Sequence, residues 1–116
     1  MGMEKRSVPR VNTSIPVEIY DEKDNNLLGV GHMWNLGINC AGLDTTLSLV
    51  KEQNFFMRFL VRKKFLINVW AKVVRIVDED RKRYYGVKFS KIDFLNKENL
   101  HQYIDLKINA PEADEE

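Results

Sequence analysis

Two short stretches hold the residues whose types and spacing suit chemistry. In RSVPR, Arg6 and Arg10 stand four apart. Pro9 fixes its own φ and disfavours the helical region for Val8, so the segment reads as extended rather than helical. Guanidiniums on an extended arm grip phosphate oxygens two bonds at a time and also stack on planar bases. In WNLGINCAG, Asn35 opens a polar loop, Gly37 and Gly42 space it, and Cys40 sits where another small residue would fit. Glycines in such a loop let backbone N–H groups converge on an anion. An arginine arm beside this loop suits a small anionic nucleotide.

Other chemistry finds little support. His32 and His101 lie far apart, Cys40 is the only cysteine, and no His, Cys or carboxylate pair shows metal-ligand spacing. Ser7, Ser14, Ser48 and Ser90 sit in no nucleophile elbow, and no glycine loop of the phosphate-cradling kind opens a helix. The expectation is a protein that is not an enzyme and has no metal or cofactor. VRKKF and DRKRYY are basic patches with aromatics at Phe65, Tyr84 and Tyr85, but core packing or sheet pairing accounts for those rings and the net charge is low, so nucleic acid is not the expected partner.

These residues must be held by a small fold. A chain of 116 residues with 44% hydrophobic and 30% charged residues builds one globular domain. The net charge of +1 conceals an acidic end, because APEADEE carries four acids and no base, leaving the rest of the chain basic. MGMEKRSVPR has no apolar core of a signal peptide, no stretch is long enough to cross a bilayer, and a single cysteine fits a reducing compartment. A cytoplasmic location is the expectation, with no membrane insertion.

SIPVEIY alternates Ile15, Val17 and Ile19 against Pro16, Glu18 and Tyr20, the period of a half-buried strand. LLGVGHMW follows the turn DEKDNN as a second strand, with Gly29 and Gly31 marking a bulge or bend. AGLDTT opens a short third strand. NFFMRFLV and FLINVWAKVVRIV form a hairpin through RKK, and YYGVKFSKI is the last strand, with Tyr85, Val87 and Phe89 on one face. The period then becomes helical, with Leu95, Leu100, Tyr103, Ile104 and Ile108 on one face and Asp93 or Asn96 as the cap. The fold class is mainly β: a small antiparallel barrel closed by a C-terminal helix.

In order and spacing the chain resembles the PilZ domain, a bacterial receptor for cyclic di-GMP described by an R-x-x-x-R arm, a strand and a D/N-x-S-x-x-G loop. Arg6 and Arg10 fill the first motif, with Lys5 before them; Asn35 opens the second; and YYGVKFSKI is similar to the family's late G-V-x-F strand. The resemblance covers roughly residues 5–106. It implies a six-stranded split-barrel fold, with an arm over residues 1–14, the barrel and helix over 15–108, and a disordered acidic tail over 109–116. It also implies a cyclic di-GMP site at Arg6, Arg10, Asn35, Gly37 and Cys40, with ligand binding passed on to an unidentified protein partner.

The loop departs from the pattern, with Gly37 at the serine position and Cys40 at the glycine position. The missing hydroxyl removes a hydrogen bond, and a left-handed backbone at Cys40 would add strain, together ~2–4 kcal/mol. The alternative is therefore a degenerate module that binds no nucleotide and acts as a protein-interaction adaptor.

Overall fold

The computed structural model describes residues 10–23 and 26–109. Six strands, β1 (Val11–Tyr20), β2 (Leu27–Leu36), β3 (Cys40–Thr45), β4 (Asn54–Val61), β5 (Phe65–Glu79) and β6 (Lys82–Lys91), precede one helix, α1 (Phe94–Asn109). All pair antiparallel and close a barrel in the order β1-β2-β3-β6-β5-β4, so no edge remains open along its full length.

The period-2 alternation decides what faces inward. Ile15, Val17 and Ile19 of β1 meet Met33 and Leu36 of β2, Ala41 and Leu43 of β3, and Tyr85 and Val87 of β6 in one core. The ends of the barrel are stoppered separately. At one end α1 inserts Leu100, Tyr103 and Ile104, and the Tyr103 hydroxyl lies 3.1 Å from Thr13 Oγ1. Toward the other, Leu49 of the β3–β4 connection is buried, its N–H donates to the Tyr85 hydroxyl, and that hydroxyl donates to the Leu47 carbonyl.

Several expectations need adjustment. The first strand begins at Val11, so residues 11–14, expected in the arm, belong to the barrel wall, where Val11 is already buried. Helix α1 runs through Asn109, one residue into the expected tail; Arg6 and residues 110–116 lie outside the described residues. Gly29 adjoins a bulge as expected, the register shifting at Leu28, whereas Gly31 is an ordinary ladder partner of Val17 and the second irregularity on β2 falls at Trp34. Gly31 is required by close approach instead: a Cβ there would stand 2.7 Å from the Asp44 carbonyl oxygen.

Asp93 is the helix cap, its Oδ1 accepting from the Asn96 N–H at 2.9 Å. Asn96 plays another part, because its Oδ1 accepts the Asn68 N–H at 2.9 Å and ties the helix start to β5. Leu95 and Ile108, expected on the buried face, are exposed, because the face of α1 that meets the barrel is that of Leu100, Tyr103 and Ile104.

Candidate functional site

The strand registers assemble a single row of outward-facing positions across four strands. Asn35 on β2 pairs with Gly42 on β3, Gly42 with Gly86 on β6, and Gly86 with Arg75 on β5. Each neighbouring row, such as Leu36, Ala41, Val87 and Val73, points into the core. The two glycines leave a bare backbone floor, and the side chains at either end of the row cover its edges. A Cβ at Gly42 would meet Asn35 Nδ2 at 2.9 Å, and one at Gly86 would meet Arg75 Cβ at 3.4 Å and Nε at 3.8 Å.

Two bulges frame this floor. On β2 the pairs Met33–Leu43 and Asn35–Gly42 leave Trp34 as an extra residue; on β5 the pairs Val73–Val87 and Arg75–Gly86 leave Val74 as another. A bulge places consecutive side chains on one face and bends the strand. Trp34 is consequently 42% exposed beside Asn35, stacked edge-on to Tyr84 at 6.0 Å and to His32 at 4.9 Å. His32 itself is satisfied by Ser14 Oγ at 2.8 Å.

The result is a groove of about 810 Å³, lined among others by Arg10, Trp34, Asn35, Cys40, Arg75 and Lys88. That volume is in the range of about 300–1,000 Å³ usual for small-molecule sites. Arg75 and Lys88 have no ion-pair partner among the described residues, whereas nearby Lys72 is held by Glu52 at 3.4 Å. Asn35 supplies the most informative atom. Its Oδ1 is buried and has no hydrogen-bond partner among the described residues, an arrangement that costs about 1–3 kcal/mol unless a donor arrives.

Of the residues expected at the site, Arg10, Asn35 and Cys40 come together on the groove. Gly37 is not among its lining residues; its N–H instead donates to the Cys40 carbonyl at 2.8 Å and tightens the loop. Cys40 is free of the feared strain. It begins β3 opposite Lys88 and is not one of the residues with positive φ, which are Glu52, Arg62, Lys63, Asp80 and Arg81. The affinity penalty therefore shrinks to the lost hydroxyl, ~0.5–3 kcal/mol. Sequence reasoning missed Gly42 as floor, Gly86 and Arg75. The only local signal for them was a glycine inside a strand pattern, which often marks close approach of a ligand.

Among the described residues no cluster of His, Cys, Asp and Glu is placed to hold a metal, and no helix is long and apolar enough to cross a membrane. The basic aromatic patches do not form a stacking ladder, since Tyr85 is 1% exposed and Phe65 packs against the core.

Barrel, plugging helix and cationic groove together define the class of domain. The PilZ domain profile matches residues 4–106, and the chain belongs to that family. Among solved structures, Bacillus subtilis inhibitor of motility, MotI/DgrA, is similar with a TM-score of 0.77 at 18% identity, covering 93% of this chain. The chain spans about half of that protein, 54% of its length. The PilZ domain of Escherichia coli YcgR, solved with c-di-GMP, gives a TM-score of 0.70 at 13% identity over 95% of this chain and 97% of that one. The Klebsiella MrkH–c-di-GMP complex gives 0.73 at 11% identity, over 96% of this chain and 56% of that one. No curated protein matches the sequence.

Proposed function

We propose that this chain is a non-enzymatic receptor for cyclic di-GMP, which binds on the Gly42–Gly86 floor beneath the arm carrying Arg6 and Arg10. The observation that carries the reading is the buried Asn35 Oδ1, without a partner among the described residues, at the edge of a cationic groove. Guanine offers N–H donors that would satisfy it, and the arginines offer forks for the two phosphates. Membership of a family whose solved members include c-di-GMP complexes supports the ligand.

Binding would bring the arm arginines onto the ligand and alter the surface offered to a partner protein in the cytoplasm. Isothermal calorimetry with cyclic di-GMP tests this on the wild-type chain, Arg10→Ala and Asn35→Ala. Saturable binding in the micromolar range or tighter, weakened in both variants, is the expected result. Absence of heat at hundreds of micromolar ligand would instead identify an adaptor whose missing loop hydroxyl has cost it the nucleotide.

A further inference from the structure

We propose that Arg75 reads the base edge opposite Asn35 and gives the site its preference for guanine over adenine. This rests on the receptor reading above.

Three features of the row assign the role. First, Asn35 and Arg75 terminate the same register line with only glycines between them. Three strand spacings of ~4.8 Å put their Cα atoms roughly 14 Å apart, leaving room for one flat base between the two side-chain tips. Second, the guanidinium stem already lies along the floor, with Nε 3.8 Å from where a Gly86 Cβ would be. Third, Arg75 is exposed and has no ion-pair partner among the described residues, Glu79 being the one carboxylate that lines the same groove without pairing to it.

The donor and acceptor pattern then selects the base. Asn35 Oδ1 is an acceptor and requires a base N–H, which guanine presents at N1 and N2. Arg75 offers donors only, and a fork of two donors matches O6 and N7 of guanine. Adenine places an N6 amino donor where O6 would be, facing the guanidinium, and has no amino group at position 2. It therefore fails at both edges. Lys88, a compact point charge on the next outward row, suits a phosphate rather than a base edge.

The test titrates the full chain, Arg75→Ala and Arg75→Lys with cyclic di-GMP and with cyclic di-AMP. Wild type is expected to prefer the guanine ligand, and Arg75→Ala to lose about 5- to 150-fold in cyclic di-GMP affinity while its weak response to cyclic di-AMP stays unchanged. Arg75→Lys, which keeps the charge but not the fork, should not restore the loss. Recovery by lysine, or an equal loss for both nucleotides, would overturn base reading and make Arg75 a phosphate contact. Equal cyclic di-GMP binding by wild type and Arg75→Ala would remove Arg75 from the site and leave the receptor reading standing. A wild-type chain that binds neither nucleotide overturns both.

Discussion

Gly42→Ala is the sharpest probe of the glycine floor, because its effects on stability and on binding should diverge. The new Cβ would meet Asn35 Nδ2 at 2.9 Å, Oδ1 at 3.3 Å and Cγ at 3.4 Å, and all three belong to one short side chain. Asn35 can swing away without moving backbone, so the strain is small, and the loss of glycine's unfolded-state freedom offsets it by about 0.4–1 kcal/mol. Stability should stay within about 1 kcal/mol of wild type. Binding should not survive as well. A displaced Asn35 forfeits a hydrogen bond of ~0.5–1.5 kcal/mol, which is about 2- to 13-fold in Kd, and the methyl group lifts the ligand off the floor besides. Gly31→Ala is the matched control, since its Cβ would stand 2.7 Å from a backbone oxygen in the neighbouring strand, which cannot swing aside. It should destabilise by ~1–3 kcal/mol. Urea unfolding followed by tryptophan emission measures stability, and calorimetry measures Kd. Unchanged cyclic di-GMP affinity in Gly42→Ala, with wild type binding normally, would refute the floor as the ligand's resting place.

Other expectations concern the frame. Tyr85→Phe leaves the buried Leu49 N–H without its acceptor and should cost ~1–3 kcal/mol in urea unfolding. Leu100→Ala empties a fully buried position where α1 stoppers the barrel and should cost ~2–5 kcal/mol by the same assay. Arg81 sits at φ 68° beside Asp80 in the two-residue turn between β5 and β6, so Arg81→Gly should raise stability by about 0.5–1 kcal/mol. The Asn96 backbone N–H, reinforced by its side-chain amide, holds the Asp93 carboxyl below its ordinary 3.8. A folded-state value below the unfolded one means the cap stabilises the fold above the ordinary carboxylate range and loses that contribution as pH falls through the lowered value. The urea midpoint of wild type should therefore drop more steeply than that of Asp93→Asn on acidification.

Much of the fold was legible because its signals are local. Alternation in SIPVEIY and YYGVKFSKI, the hairpin residues in RKK and DEDRKR, and the change of period after Asp93 each report a backbone state that neighbouring residues impose. Motif spacing singled out Asn35, Arg10 and Cys40, and the fold brings all three onto one groove. What lay beyond the sequence was register. Whether Gly42 faces Gly86 rather than a bulky residue depends on the pairing of strands far apart in the chain, and a slip of one position would turn each side chain to the opposite face. The bulges at Trp34 and Val74 work the same way, since an extra residue exists only relative to its partner strand. The amino-acid sequence by itself determined the strands, the helix cap and the polar loop. Closure of the barrel alone decided that Asn35 and Arg75 face each other across bare backbone, that Cys40 carries no strain, and that Leu95 points to solvent, because each depends on contacts distant in sequence.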